Sequence, residues 1–211
     1  MFFNPYIQST IAQLWATHMY ATMNVSATDS TGNVYVTGSY SNPLTIYNAD
    51  TTTFGTLTSA GASDAFIVKY NQTGTAQWAT RIGGTNIDSG NGIATDSTGN
   101  VYVTGTYNSN PLTIYNADTT TFGTLVNSYI GKVAIFIARY NSYGTAQSST
   151  RINSNNNESI YAISAGPNGS LYIVGVIGGI NPMTIYSFDG TVGGTLTSST
   201  NDGFIVRYVN S

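Results

Sequence analysis

Short runs of alternating apolar and polar residues recur along this chain, each bounded by Asp, Asn, Gly, Ser or Thr. The clearest is Ala27 to Tyr40, ATDSTGNVYVTGSY, which returns as ATDSTGNVYVTGTY at Ala94 to Tyr107 and, more diverged, as NGSLYIVG at Asn168 to Gly175. Alternation with period two predicts strands with one buried face. Asp29 to Asn33 reads as the turn between two of them, with Gly32 free to take positive φ. One hairpin cannot bury its own face, so the repetition predicts copies that pack on one another.

Aligning the copies predicts four strands in each. Strand a covers Val25 to Thr28 and strand b Asn33 to Tyr40. Strand c is Phe66 to Tyr70, matched by Phe136 to Tyr140 and Phe204 to Tyr208, and strand d is Ala76 to Ile82, matched by Ala146 to Ile152. In strand c, Phe66, Val68 and Tyr70 share one face while Ile67 and Lys69 share the other. Between b and c runs an excursion, NPLTIYNADTTTFGTL, repeated from Asn110 and, as NPMTIYSFDGTVGGTL, from Asn181. Thr45 to Tyr47 and Phe54 to Leu57 predict a small hairpin within it.

The third copy ends after strand c, whereas Leu14-Trp15-Ala16-Thr17-His18 near the N-terminus matches Gln77-Trp78-Ala79-Thr80-Arg81. That segment is therefore expected to be an orphan strand d. A short amphipathic helix over Ser9 to Met19 is the alternative. The chain divides into residues 1–23 (orphan strand), 24–90, 91–159 and 160–211 (three copies), all within one domain.

The stretches GNVYVTGSY, DAFIVKYNQTGTAQWATRIGG and GIATDSTGNVYVTGTY resemble the SBBP family of β-propeller repeats. The resemblance implies an all-β propeller of four-stranded blades, three blades per chain, with the N-terminal strand completing the last blade as a Velcro strand. It implies no enzyme activity. Propellers typically have at least four blades, so the strand is expected to act in trans. Either two chains build a six-bladed ring or each chain donates its strand to the next in an open fibre. The closed dimer ranks first because it satisfies every edge with the least material. A strained three-bladed ring closed within one chain is the remaining option. The expected self-association residues are Trp15 and Thr17 on one side and Phe204, Val206 and Tyr208 on the other.

Only 7% of the 211 residues are charged and 41% are hydrophobic, so Thr, Ser, Asn and Gly carry most of the surface. A formal net charge of −3 without any basic run argues against nucleic-acid partners. Low charge also gives little repulsion against self-association. No apolar run approaches the ~18 residues of a membrane span, and the first residues lack the basic start of a secretion signal. The composition fits an exposed extracellular or virion component.

Absence of cysteine and a single histidine, His18, leave no Ser/His/Asp or Cys/His machinery and no zinc ligand set. No cofactor is expected. Asp29 and Asp96 sit in DSTGN turns that place oxygens at alternating positions, so calcium is weighed there against a turn bonded to its own backbone. Asp88 and Glu158 recur at matching positions. Paired carboxylates serve glycoside hydrolysis, but symmetric ones more often reflect duplication. The excursions offer a ligand face of Tyr47, Asp50, Tyr115, Asp118, Tyr186 and Asp189, suited to sugars through ring stacking. The leading expectation is a non-enzymatic, self-assembling structural protein. A multivalent carbohydrate-binding module is the alternative.

Overall fold

The computed structural model describes residues 15–166 and 169–209. The first copy contains β1 (Thr22–Thr28), β2 (Val34–Tyr40), β3 (Leu44–Tyr47), β4 (Thr53–Leu57), β5 (Asp64–Tyr70) and β6 (Ala76–Gly83). The second contains β7 (Asp88–Thr95), β8 (Val101–Tyr107), β9 (Leu112–Tyr115), β10 (Thr121–Leu125), β11 (Ala134–Tyr140) and β12 (Ala146–Asn153). In the third are β13 (Ser159–Ala165), β14 (Leu171–Ile177), β15 (Met183–Tyr186), β16 (Val192–Leu196) and β17 (Asp202–Tyr208). All pairings between these strands are antiparallel.

Each copy opens with a bulged hairpin. Asn24, Asn91 and Tyr161 are the residues skipped by the ladders β1–β2, β7–β8 and β13–β14. Opposite each bulge is a glycine, because the partner backbone comes too close for a Cβ. An added Cβ would lie 1.9 Å from the Thr22 carbonyl oxygen at Gly38, 1.9 Å from that of Ser89 at Gly105, and 2.2 Å from that of Ser159 at Gly175. The β1–β2 turn is held by Asp29, whose Oδ1 accepts from the Thr31 and Asn33 amides at 2.9 and 3.0 Å.

The excursions form the expected hairpins, and the second and third pair outside their own copies. β9 adds to the outer edge of β6 through Ile82–Ile114 and Gly83–Thr113, giving the sheet order β1-β2-β5-β6-β9-β10. β15 adds to β12 in the same way. The hairpin β3–β4 forms a two-stranded sheet, and among the described residues β17 pairs only with β14.

Alternation along the strands gives each sheet two packing faces. One core joins Tyr35, Ile67 and Trp78 of the first copy to Val103, Phe136 and Tyr140 of the second. Another joins Tyr102, Ile135 and Ile137 of the second to Ile173, Phe204 and Val206 of the third. Strand β7 packs between β1 and β13, while β1 and β13 do not pack on one another to a comparable extent. Accordingly β7 is mostly buried, and β1 and β13 are largely exposed. Among the described residues, no strand of the first copy pairs with one of the third, and the three copies as described form an open arc.

Candidate functional site

The two ends of the arc carry the geometry most suggestive of function. At the first end, the described part of the expected orphan strand, Trp15 to Met19, is neither helix nor strand; Leu14 lies outside the described residues. Among the described residues the segment has no ladder partner. Its side chains nevertheless repeat the contacts of β6 and β12. Thr17 Oγ1 donates to the Tyr47 carbonyl at 2.9 Å, as Thr80 does to Tyr115 at 2.8 Å and Thr150 to Tyr186 at 2.7 Å. The Trp15 ring packs 5.7 Å from Tyr70, as Trp78 does 6.4 Å from Tyr140. Met19 is buried with Tyr40, Leu44 and Phe66. The segment thus lies against β3–β4 as β6 lies against β9–β10.

At the other end, the outer edge of β17 is unpaired among the described residues. Ile205 is 67% exposed, whereas its counterparts Ile67 and Ile137 are both at 0%. Phe204, Val206 and Tyr208 face the opposite way, into the core shared with the second copy. Along this edge runs a groove of about 860 Å³, lined by Leu196 of β16, Ile205 to Val209, and Ser148, Phe188 and Asp189. In the second copy the corresponding edge, that of β11, is occupied by β12. Trp15 and Thr17 lie at the first end, with strand-d contacts but no ladder among the described residues, and Phe204, Val206 and Tyr208 lie on the edge strand at the other.

The tyrosines of the excursions are half-buried and roofed on one side. Arg81 lies 4.1 Å above the Tyr115 ring and Arg151 3.9 Å above Tyr186, while His18 stacks on Tyr47 at 4.9 Å. This threefold stack was missed in the sequence, although Arg81, Arg151 and His18 align there. Asp50, Asp118 and Asp189 are exposed, but each Oδ1 is committed to its own turn, accepting from the amide and hydroxyl of Thr52, Thr120 and Thr191. Those hydrogen bonds hold the three carboxyls below their ordinary pKa. Lys69, Arg139 and Arg207 lie over Tyr35, Tyr102 and Tyr172. Such contacts stabilise by about 0.5–2 kcal/mol each, depending on desolvation.

The remaining carboxylates also serve the backbone. Asp29 and Asp96 accept from Thr, Asn and Tyr donors on both oxygens, an environment of N–H and O–H groups that suits an anion and leaves a cation poorly placed. Buried Asp88 accepts from the amides of Gly84, Asn108 and Ser109 and from the Ser109 hydroxyl at 2.6 Å, tying the link after β6 to the start of the second excursion. Glu158 takes Ser154 Oγ and the Gly178 amide in the third copy. Burial raises the pKa of both Asp88 and Glu158 against these hydrogen bonds. Among the described residues, no group of three or more His, Asp or Glu is arranged to hold a metal, and no helix is long and apolar enough to cross a membrane.

Comparison with known proteins agrees with the repeat. Over 134 residues, 59% of this chain, the sequence is 33% identical to an uncharacterized WD repeat-containing protein of Acanthamoeba polyphaga mimivirus. The chain spans about a tenth of that relative's length. A crystal structure of a protein of unknown function from Bacteroides caccae aligns over 85% of this chain and 81% of its own, at 15% identity and a TM-score of 0.28. Residues 77–113, from β6 through the start of β9, match the model of the SBBP β-propeller repeat.

Proposed function

We propose that this protein is a non-enzymatic structural module that assembles head to tail, each copy inserting its Trp15 to Met19 segment beside β17 of the next. The observation that carries the reading is the match between an unpaired strand edge and an unpaired segment that already makes strand-d contacts. An exposed edge invites strand addition. In the β5–β6 register Lys69 faces Trp78 and Ile67 faces Thr80; a seam built on the same register would set Arg207 opposite Trp15 and Ile205 opposite Thr17. One edge of the segment then stays against its own β3–β4 while the other pairs with the neighbour. The same step buries Ile205, worth roughly 1.5–3 kcal/mol for a fully covered aliphatic side chain.

Head-to-tail contacts close into a ring or continue as a fibre, depending on the rotation per copy. A two-copy, six-bladed ring satisfies every edge, and the open arc supports it over a three-bladed ring. Carbohydrate binding has less support, because one face of Tyr47, Tyr115 and Tyr186 is covered. The relative from a mimivirus favours a virion setting over a cell surface. Light scattering over a wide concentration range tests the proposal: a two-copy mass that collapses to monomer in Ile205→Lys supports it, and a folded monomer of the unmodified chain at all concentrations overturns it.

A further inference from the structure

Resting on the head-to-tail reading, we propose that the seam also joins the opening strands of the copies, with β13 of one chain packed face to face on β1 of the next. The two junctions inside the molecule set the precedent: β1 packs on β7, and β7 packs on β13. Because Trp15 to Met19 keeps its place on β3–β4, a neighbour whose β17 pairs with that segment is set on the first copy as the first copy is set on the second. The occupant of this face is therefore a second copy of the chain, and the face is continuous with the edge that takes the strand. Such a contact uses different surfaces on its two sides, as head-to-tail assembly requires.

Burial is complete at the inner junctions and incomplete on the two outer faces, position by position. Tyr35 and Tyr102 are 0% and 1% exposed, whereas Tyr172, at the same place in β14, is 37% exposed. Val25 and Ala27 pack on the core shared with the second copy; Ala162 and Ser164, at their positions in β13, are exposed. The first copy is uncovered on its other side. Ile93, Val101 and Val103 are buried in the core shared with the first copy, while their counterparts Val34 and Val36 are half-buried and Ser26 is exposed.

Two contacts of the inner junctions transfer residue by residue. Thr95 Oγ1 donates to the Thr28 carbonyl at 2.7 Å, tying β7 to β1. Ala165 stands at the position of Thr28, and Thr28 at that of Thr95. At the seam Thr28 is therefore the donor, and the Ala165 carbonyl of the preceding chain accepts. Between β7 and β13, a Cβ at Gly92 would lie 3.5 Å from that of Ile163. Ala162 stands at the position of Gly92 and Ser26 at that of Ile163, so the seam brings Ala162 of one chain beside Ser26 of the next. Both side chains are small enough for that approach.

Ala162→Cys combined with Ser26→Cys tests the contact in the full chain, which has no cysteine of its own. Cβ atoms at the 3.5 Å of the inner junction are within disulfide reach, and both positions are exposed in the single chain. Oxidation at a concentration where the protein associates is expected to link chains to one another, and Val25→Cys with Ile93→Cys, the same two positions within one chain, calibrates the yield. Ala162→Arg forces bulk into the contact and is expected to weaken association about tenfold or more while leaving the urea midpoint of the single chain unchanged. If Thr17→Cys with Ile205→Cys links chains but Ala162→Cys with Ser26→Cys does not, or if Ala162→Arg leaves association intact, the inner contact is overturned and the head-to-tail reading stands. A disulfide between positions 26 and 162 of a single chain also overturns it. Failure of both pairs to link chains overturns the head-to-tail reading itself.

Discussion

The Phe188 ring lies 5.3 Å from that of Tyr208, tilted by 54°, at the place where Trp78 meets Tyr140 one junction earlier. Position 148, which would supply the tryptophan, is serine, and Phe188 stands where Ala117 stands in the second copy. Bulk has moved from one side of the junction to the other. Phe188→Ala alone is expected to cost about 2 kcal/mol, since the ring is half-buried. Combining it with Ser148→Trp should recover at least about 1 kcal/mol beyond the sum of the single changes. Denaturant unfolding of the four proteins measures this; simple additivity would show that the two positions do not exchange roles.

Thr51 and Thr119 sit in the left-handed region, with φ of 69° and 70°, each after the turn aspartate of its excursion; the third copy has Gly190 there, at φ 83°. A β-branched residue in that region costs of order 1–3 kcal/mol, part of which returns as the extra chain entropy of an unfolded glycine. Thr119 is exposed, and its amide bond to the Asn116 carbonyl survives replacement. Thr119→Gly should therefore raise stability by about 0.5–1 kcal/mol, read as an increase in the urea midpoint. A lower midpoint would place the threonine side chain in a role its exposure does not indicate.

Asp96 gives a pH dependence of definite sign. Burial pushes its carboxyl up, and hydrogen bonds from Asn100 and Thr98 outweigh burial and hold it below the ordinary carboxylate range. Its contribution is fully present above the unfolded pKa, near 4, and is lost as pH falls through the lower folded value. Asp88 and Glu158, raised by burial, act in the opposite direction, so the informative quantity is the difference between proteins. Asp96→Asn should destabilise by about 1–3 kcal/mol at pH 7, with the gap narrowing as pH falls toward 3. A gap independent of pH would assign the loss to shape and not to charge.

The strands and their turns were legible because alternation and the DSTGN turn are local signals. The predicted strand d at Ala76 to Ile82 is observed as Ala76–Gly83, and the predicted excursion hairpin as Leu44–Tyr47 with Thr53–Leu57. The destination of those hairpins was not legible. Pairing β9 with β6 joins Ile82 to Ile114, a contact between two copies that alternation within either one does not encode. For the same reason Tyr115 read as a free ring, since Arg81 reaches it from another copy. The segment around Trp15 shows the converse limit: its residues match strand d, but a strand needs an edge, and within this chain β17 and Trp15 lie at opposite ends of the arc.

In the proposed head-to-tail assembly, β17 of one copy pairs with Trp15 to Met19 of another in the register of β5 with β6. The chain has no cysteine, so Thr17→Cys combined with Ile205→Cys introduces the only two thiols. Directly opposed antiparallel residues lie about 4.5–5.5 Å apart at Cα, within disulfide reach. Oxidation at low concentration followed by mass measurement should yield a covalent two-chain species, and Thr17→Cys with Phe204→Cys, which is one residue out of register and on the other face, should not. A covalent ladder would keep the strand pairing and favour the fibre over the ring; a disulfide closed within one chain, or no cross-link at all, would contradict the account.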